Sequence, residues 1–430
     1  MRSKRYTLFA LAAALLALLL IAPPGADAHG QAHHAAKAKK KDGPVHVSCC
    51  GSGLKVAGGD SELRLTGRLL TQLTLTTQVD SKKHEGFHGQ FSLKEAYVEL
   101  YARWKTLSGF VQGDFDVSSA TVQEAWVEWA AGPWLAVRAG RDYVPFGMAQ
   151  AVATIWSPFI ERPALTGNAK DHKDIGGFVK GTIAGGSLAY ALAVYNGSRD
   201  LSPKENELPD VAARVAWEPL ALLPGAPAGA GILHFGGSFR WGKGPSRQGF
   251  KGATPAGFSF FSPPEIEGSA WGAAAEIAFW HPWFSLVAEF QYTHADRDHI
   301  EYTDPVTYAT FEALHPLKVY GYYVGASSLL WGKPGAFRGG TPPGTGLRPL
   351  KGIEIAARFE QLWIEDGKAP DAPLEEQRVW DVTAGFNGYP TGNLIIQAHY
   401  VLFHFDPESA APVPGEALSH AAIVRAGLRF

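Results

Sequence analysis

The 430-residue sequence contains very little cysteine and methionine. It has 2 Cys and 2 Met, against 49 Gly and 12% aromatic residues. The two cysteines, Cys49 and Cys50, are adjacent, and neighbouring cysteines seldom bridge each other because the geometry is strained. A disulfide-rich fold is therefore excluded. The abundance of Gly and aromatics indicates many strands and turns rather than a helical core.

Long hydrophobic runs are also scarce, because only residues 8–22 form an uninterrupted apolar stretch. Three basic residues precede this stretch, and the small residues of "ADA" (26–28) follow it. This order predicts a secretory signal peptide over residues 1–28. The stretch is shorter than the roughly 20 residues of a spanning helix, which weighs against a membrane anchor. A mature chain that meets a membrane must therefore do so with strands.

Acidic residues slightly outnumber basic ones in the main part of the chain. Residues 1–50 hold seven of the 39 basic and two of the 41 acidic residues, which leaves residues 51–430 with a net charge of −7. This balance weighs against a nucleic-acid partner, which would need a basic surface. We expect the His- and Lys-rich segment 29–60 to be a disordered periplasmic tail. Its histidines, together with Cys49 and Cys50, leave a metal site open as an alternative, and no cofactor is predicted.

From residue 61 onward the sequence alternates between apolar and polar residues. In "SELRLTGRLLTQLTLT" (61–76) most leucines share one face, and charged or polar residues occupy the other. A period of two over more than a dozen residues is typical of a long β-strand. The pattern recurs in about sixteen segments of roughly ten residues. We place them near 61–79, 90–104, 107–116, 121–131, 134–142, 175–185, 187–196, 211–217, 231–241, 269–280, 283–294, 318–331, 352–363, 377–388, 391–405 and 420–430.

The connections between these segments alternate in length. Tight turns such as "AGPW" (131–134) alternate with long polar or Gly/Pro-rich loops such as 143–174 and 242–268. An even number of strands, with short turns at one end and long loops at the other, is typical of an antiparallel outer-membrane barrel. Two connections, 218–230 and 332–351, should be short in this scheme and are not.

A soluble sandwich or solenoid could also carry alternating strands, with the apolar face buried and the charged face in water. Tryptophan positions distinguish the two folds, because aromatic residues concentrate at both interfaces of a membrane. Nine tryptophans lie at predicted strand ends: Trp104, Trp126, Trp129, Trp134, Trp241, Trp280, Trp283, Trp331 and Trp363. We therefore predict an all-β transmembrane barrel of about 16 strands over residues 61–430, in contact with the lipid of a Gram-negative outer membrane.

Several stretches carry a more specific pattern. They include "VRAGRDYVPFGMAQ" (137–150), "DIGGFVKG" (174–181), "YGYYVGASSLLWGKP" (320–334) and "KGIEIAARFEQL" (351–362), in that order. Together they resemble the phosphate-selective porin O/P family. The resemblance implies a sixteen-stranded, homotrimeric porin whose third outer loop folds inward to narrow the lumen. It also implies passive diffusion of small anions, such as phosphate or polyphosphate, through a water-filled channel.

The C-terminal strand "HAAIVRAGLRF" (420–430) is apolar on one face, cationic on the other, and ends on Phe430. Such a strand resembles the signal that the outer-membrane barrel assembly machinery recognises. We therefore expect this machinery to be a partner. Enzymatic activity is not predicted, because the histidines are scattered and no serine stands in an elbow motif. No catalytic residues and no metal ligands are assigned.

A water-filled channel selects solutes through the charges along its wall. The polar faces of the predicted strands and the third loop supply the cations that we assign to the anion pathway: Arg64, Arg68, Arg138, Arg162, Lys170, Lys173, Lys180, Arg214, Arg240 and Arg358. Carboxylates share these faces, so the alternative of cation–carboxylate pairs with little net selectivity stays open. The second strand, "FSLKEAYVELYARW" (91–104), is acidic where the family commonly carries paired arginines. A general or weakly cation-selective porin and a non-conducting scaffold or adhesin barrel therefore remain alternatives.

Overall fold

The computed structural model is a closed barrel of sixteen long antiparallel strands. It describes residues 46–48, 53–79, 85–115, 120–150, 154–166, 173–197, 208–222, 231–262, 264–298, 302–303, 310–311, 314–334, 351–367, 375–407, 410–413 and 415–430. The strands are β1 (His46–Ser48), β2 (Leu54–Gly58), β3 (Ser61–Val79), β4 (Glu85–Trp104), β5 (Leu107–Phe115), β6 (Ala120–Gly132), β7 (Leu135–Tyr143), β8 (Lys173–Ile183), β9 (Leu188–Tyr195), β10 (Asp210–Trp217), β11 (Ile232–Gln248), β12 (Gly252–Ala253), β13 (Ser259–Phe261), β14 (Glu265–His281), β15 (Phe284–Ala295), β16 (Tyr302–Thr303), β17 (Thr310–Phe311), β18 (Leu317–Lys333), β19 (Lys351–Asp366), β20 (Glu375–Thr391), β21 (Leu394–Asp406) and β22 (Leu418–Arg429). Short 3-10 helices include Thr154–Trp156, Ala164–Thr166, Ala184–Gly186 and Pro219–Leu222.

The two ends of the barrel differ in their connections. At one end, two-residue turns join β4 to β5, β6 to β7, β14 to β15 and β20 to β21. At the other end the connections are mostly longer, and β12–β13 and β16–β17 form separate two-stranded sheets there. Outer-membrane barrels place their short turns in the periplasm and their long loops outside the cell. We call the two ends the inner end and the outer end, respectively.

The barrel closes between β22 and β3, in a register that runs from Ala421–Thr76 to Arg429–Arg68. The first residues of β3 extend past this contact and pair with β2 instead, from Leu65 to Ser61. The N-terminal hairpin therefore continues the wall where β22 stops. The prediction of a disordered tail over 29–60 does not hold for the residues of β1 and β2, because the edge of β3 offers them backbone partners. Cys49, Cys50 and residues 1–45 lie outside the described residues.

The side chains of the barrel strands alternate between a lipid-facing and an inner face. Leu63 and Val424 are 40% and 47% exposed on the outside, whereas Glu62 and Arg425 are 3% and 1% exposed on the inside. A soluble sandwich would bury the leucine face, so the exposed leucines confirm the predicted barrel. Within the described part of the chain, no helix is long and apolar enough to cross a membrane.

The predicted strand positions agree with the structure in all sixteen cases, but several strands are longer than their apolar pattern. β11 continues to Gln248 and β14 begins at Glu265, although the pattern placed a loop over 242–268. Backbone pairing continues past the lipid-facing band, where polar residues at the outer end no longer alternate. The two connections that should have been short, 218–230 and 332–351, lie mostly outside the described residues.

The outer part of the lumen contains a hydrophobic cluster that the alternation did not predict. Inner-face residues of β18, β19 and β21 contribute Leu317, Ile364 and Phe405, which are at most 2% exposed. Phe260 of β13 packs against Phe405, with ring centroids 5.8 Å apart. Ile160, from the connection between β7 and β8, belongs to the same cluster. Apolar inner positions mark the place where other parts of the chain, rather than water, cover the wall.

Candidate functional site

The connection after β7 contacts the inner face of the barrel wall. We call its described residues, 144–150 and 154–166, the loop segment. The backbone N–H groups of Met148 and Ala149 donate to the Glu289 carboxylate over 3.1 and 2.9 Å. A buried carboxylate that accepts two N–H groups satisfies donors that an irregular segment would otherwise leave unpaired. Glu289 therefore anchors the first part of the loop segment to β15.

The later part of the loop segment is anchored by polar side chains of β19 and β20. The Ala164 N–H donates to Oε1 of Glu360 over 2.6 Å. The side-chain amide of Asn387 donates to the Pro158 carbonyl oxygen over 2.8 Å and to Oε2 of Glu354 over 3.0 Å. The bonds to Ala164 and Pro158 join side chains of the wall to backbone of the segment, so they fix its path without depending on its side chains.

Two arginines complete the anchorage. The Arg425 guanidinium donates to the Ile160 carbonyl oxygen and to Oε1 of Glu161, the latter over 2.5 Å. Arg358 donates to the Glu161 carbonyl oxygen over 2.7 Å. Both guanidinium groups are almost fully buried, with side-chain exposures of 0% and 2%. Removal of one partner from a buried ion pair typically costs about 3–5 kcal/mol, so each of the two arginines is a strong anchor.

Glu161 also binds a cation on the opposite side. Nζ of Lys94 lies 2.9 Å from Oε1 of Glu161, and the Lys94 side chain is 32% exposed. Burial alone would raise the pKa of the Glu161 carboxyl, but Arg425 and Lys94 outweigh burial and hold that pKa below its ordinary value. Glu161 is therefore a carboxylate with a buried arginine behind it and a water-accessible lysine beside it.

Lys94 reaches the inner face through a β-bulge. In the β3–β4 register Leu70 opposes Glu95 and Thr71 opposes Leu93, which leaves Lys94 as the extra residue. A bulge re-aims the side chain of the extra residue, here to the face that alternation assigns to its neighbour. Sequence analysis missed this cation because it assumed an unbroken period of two. The adjacent charges of Lys94 and Glu95 were the available signal.

At least seven of the ten predicted pathway cations form an ion pair with a carboxylate among the described residues. The pairs are Arg64 with Glu62, Arg68 with Glu95, Arg138 and Lys180 with Glu128, Lys173 with Glu124, Arg214 with Glu276, and Arg358 with Glu360. The structure thus favours the alternative of cation–carboxylate pairing at these positions over an unbroken ladder of free arginines.

The other predicted cations have different surroundings. Arg240 lies over the Phe146 ring, 4.4 Å from its centroid, and donates to Oγ1 of Thr293. Arg162 lies in the loop segment and is partly buried. Lys170 falls outside the described residues. Arg240 therefore packs against the loop segment through the Phe146 ring.

The sequence pattern placed Lys173 in the loop, but the structure places it in a strand. It is the first residue of β8, is 4% exposed, and its Nζ lies 2.8 Å from Oε1 of Glu124. Likewise Asp174 belongs to β8, whereas Asp142 lies in β7, in agreement with the strand predicted over 134–142. The loop prediction was too long because charged residues at strand ends carry no apolar alternation, although their backbones still pair.

Ion pairs of the inner face differ in exposure, and the most buried and some of the more exposed ones lie on different parts of the wall. We call the barrel strands from β14 to β22 the packed wall, and strands β2 to β8 the open wall. On the packed wall, Arg358 and Glu360 are each 2% exposed. On the open wall, Lys180 is 22% exposed and its partner Glu128 is 15% exposed. Glu128 is shared with Arg138, so two cations stand against one carboxylate there.

The described residues contain no group of three or more His, Cys, Asp or Glu that could hold a metal ion. The charged groups of the inner face bind each other and the loop segment instead. Such an arrangement can filter solutes by charge and size as they pass through water, and it requires no bound cofactor.

Comparison with known proteins gives one family and several barrels. The family model described as phosphate-selective porin O and P matches residues 259–430. An uncharacterized protein of Aquifex aeolicus (strain VF5) is 25% identical over 303 residues, which cover 66% of this chain and 62% of that protein. The match therefore spans less than two thirds of the relative's length.

Solved outer-membrane proteins share the architecture. A loop L8 deletion mutant of OmpT from Vibrio cholerae has a TM-score of 0.55 at 11% identity, and covers 86% of this chain and 100% of its own. The outer membrane channel DcaP of Acinetobacter baumannii has a TM-score of 0.52 at 9% identity, with 86% and 97% covered. The trimer form of OmpT has a TM-score of 0.53 at 11% identity, with 86% and 99% covered. At these identities the likeness shows the fold.

Proposed function

We propose that small anions, phosphate among them, are the solutes that diffuse through this outer-membrane channel, whose residues 259–430 match the family model of phosphate-selective porin O and P. Transport is passive, and the chain acts as a channel rather than as an enzyme. The selectivity for anions is the new part of the proposal. It rests on how the charges of the inner face are distributed between water and protein.

The observation that supports it is the unequal exposure within ion pairs of the open wall. Lys94 is 32% exposed and Glu161 is 20% exposed. Lys180 is more exposed than the carboxylate it shares with Arg138. At these two pairs a solute in the lumen therefore meets the lysine before the carboxylate. Within a narrow passage of low local dielectric, a few such cations outweigh distant acidic residues, whose fields are screened beyond about 8–10 Å.

The loop segment determines where this passage lies. Its anchors, Glu289, Glu360, Arg358 and Arg425, all belong to the packed wall. The hydrophobic cluster fills the outer part of the lumen on the same side. We propose that the loop segment narrows the lumen and leaves the water path along the open wall. In this proposal Lys94, on β4, lies at the narrowest point of the passage, facing the loop segment.

Assembly is proposed to follow the same pattern as in the trimer form of OmpT, and three copies of this chain would form a homotrimer. We also propose that the assembly machinery recognises β22 and Phe430. The Phe430 ring lies over Gly67, where an added Cβ would come within 2.5 Å of the ring. Glycine at this position leaves room for the terminal aromatic on the lipid-facing side, where it is 54% exposed.

The proposal is tested by the reversal potential of single channels in a KCl gradient across a planar bilayer. The wild-type channel is expected to pass chloride better than potassium. Lys94→Glu should move the reversal potential toward potassium, because Lys94 is more exposed than Arg425, the other cation that binds Glu161.

Lys351→Glu is the matched control, because Lys351 is an exposed lysine on the lipid-facing side of β19. It makes the same change in net charge and should leave the reversal potential unchanged. A wild-type channel that passes potassium better than chloride would overturn the anion proposal, and a general porin would then be the better description. Absence of any conductance would favour a scaffold barrel.

A further inference from the structure

A cavity lies at the outer end of the barrel, between the loop segment and the wall. Strands β9, β10, β11, β14, β15 and β18 line it near their outer ends, and Val144, Gln150 and Leu165 of the loop segment line its other side. It encloses about 1060 Å³ of atom-free space, its open side included. Sites for small molecules typically measure about 300–1,000 Å³, so this cavity has room for a small organic solute. We call it the outer cavity.

One buried side chain of the outer cavity has an unused hydrogen-bonding group. Gln150 is 2% exposed, and its Oε1 atom has no hydrogen-bond partner among the described residues. The position of Gln150 is fixed, because the N–H groups of the two preceding residues, Met148 and Ala149, donate to Glu289. Buried amide oxygens are nearly always hydrogen-bonded. This oxygen therefore indicates a ligand that donates a hydrogen bond to it.

The charges around the outer cavity are balanced. Its charged lining residues are two cations, Arg240 and Lys251, and two carboxylates, Asp174 and Asp210. A cavity with equal numbers of both signs gives an ion of either sign little advantage over water, and an ion gives up much more hydration on entry than a neutral molecule does. The balance therefore favours a neutral solute.

The lining also combines polar groups with apolar surface. Thr293 adds a hydroxyl group, whereas Leu317 of β18, Ile266 of β14 and Phe250 add apolar side chains. A hydroxyl group both donates and accepts, so a ligand with several hydroxyls can bind amide, carboxylate and guanidinium groups at the same time. A sugar ring carries such hydroxyls around its edge and C–H groups on its faces, and the C–H groups can pack on apolar side chains.

We propose that the outer cavity binds a neutral sugar of one or two rings, with one sugar hydroxyl that donates to Oε1 of Gln150. The site lies at the outer end, where a solute from outside the cell arrives first. It takes a different class of solute from the proposed anion channel and uses neither Lys94 nor Lys180, because neither lysine lines the outer cavity. The inference therefore goes beyond the proposed function and does not depend on it.

The test is calorimetric titration of the purified full-length protein with maltose and, separately, with glucose. The detergent must have no sugar head group, because such a head group would compete for the site. The wild type is expected to bind at least one of the two sugars at one saturable site per chain. Gln150→Leu should weaken that affinity by about twofold to tenfold, because one hydrogen bond to the sugar is lost.

Gln377→Leu is the matched control. Gln377 lies near the outer end of β20, and its Oε1 atom likewise has no hydrogen-bond partner in the described part of the chain. It does not line the outer cavity, so the same substitution should leave the sugar affinity unchanged. Equal losses of affinity in the two variants would overturn the assignment of Gln150.

The unfolding temperature separates a binding role of Gln150 from a structural one. Gln150→Leu removes a buried acceptor that has no partner in the described structure, so the unfolding temperature should stay the same or rise. A lower unfolding temperature together with an unchanged sugar affinity would show that Gln150 supports the fold and does not bind the sugar.

The remaining outcomes keep this inference apart from the proposed function. If neither maltose nor glucose binds the wild type, the sugar site is wrong, and the reversal potential still decides the anion channel. If inorganic phosphate binds in place of the sugars and Gln150→Leu weakens its binding, the outer cavity takes anions and the assignment of a neutral ligand is wrong. If the wild-type channel prefers potassium but binds a sugar through Gln150, the anion channel fails and the sugar site stands.

Discussion

The packed wall and the open wall are built from the same residue types, but they use their charges differently. On the packed wall Arg358 and Arg425 are at most 2% exposed and bind the backbone of the loop segment. On the open wall Lys94 and Lys180 keep 32% and 22% exposure. A buried guanidinium whose N–H groups donate to backbone carbonyl oxygens is not accessible to a solute in the lumen. The comparison separates buried cations that hold the loop segment from cations that stay accessible to water.

The largest expected effect is on the packed wall. Arg425→Ala should lower the free energy of unfolding by about 3–5 kcal/mol, because it leaves Glu161 partly buried beside a vacated site. Loosening of the loop segment should also raise the single-channel conductance. Thermal unfolding in detergent and bilayer recording measure the two effects.

Arg378→Ala is the control for this prediction. Arg378 and Asp406 form an ion pair at the outer end, with side-chain exposures of 45% and 56%. Exposed pairs contribute about 0–1 kcal/mol, so the control should unfold almost like the wild type. Equal losses in the two variants would break the distinction between buried anchors and exposed pairs.

The second prediction concerns pH. The pKa of Glu161 in the folded barrel lies below its ordinary value, so the carboxyl binds its proton less readily in the folded state than in the unfolded one. The stability that its ion pairs supply is then fully present above the unfolded pKa, about 4.3, and is lost as the pH falls through the lower, folded pKa. The unfolding temperature should therefore decline on acidification, because protonated Glu161 no longer forms ion pairs with Arg425 and Lys94 and the loop segment is held less tightly.

Glu161→Gln should flatten this part of the pH profile, because glutamine does not titrate. The comparison is made between the unfolding temperatures of the two proteins across acidic pH. If the variant keeps the whole acid-dependent decline, other carboxylates cause it and Glu161 contributes nothing measurable.

The smallest expected effect on stability is on the open wall. Lys180→Gln should change the free energy of unfolding by only about 0–1 kcal/mol, because Arg138 remains bound to Glu128. It should nevertheless reduce the preference for chloride. A large loss of stability with unchanged reversal potential would place Lys180 among the structural cations and would weaken the comparison of the two walls.

The sequence predicted the strands well because alternation over many residues is imposed by lipid on one face and by the lumen on the other. Leu63 and Val424 lie on the predicted lipid-facing side, and Arg425 lies on the predicted inner side. The family resemblance was also confirmed over residues 259–430. Both results depend on patterns that repeat along the chain, so a single irregular residue does not change the prediction.

The candidate site was harder to predict because it depends on single exceptions. The bulge at Lys94 breaks the period of two at one residue, and no hydrophobic pattern marks it. The burial of Lys173 depends on Glu124, which lies on a strand that is not adjacent in sequence. The buried inner position of Phe405 reflects its contacts with Phe258 and Phe260, which lie in a distant connection of the chain. Such pairings are properties of the closed barrel and are not visible in any one strand.

The double pairing of β3 has a consequence for how the ring is completed. Residues 61–65 pair with the neighbouring β2, whereas residues 68–76 pair with β22 from the other end of the chain. A short hairpin costs far less chain entropy to close than a connection across the whole sequence. We therefore expect this hairpin to form first. The pairing of β22 with β3 then ends next to β2, where Phe430 is hydrogen-bonded to the backbone of Gly67. A one-residue slip would turn every side chain of β22 to the wrong face. Because β2 already occupies the edge of β3 beyond Gly67, we expect the β2–β3 hairpin to help fix the register of β22.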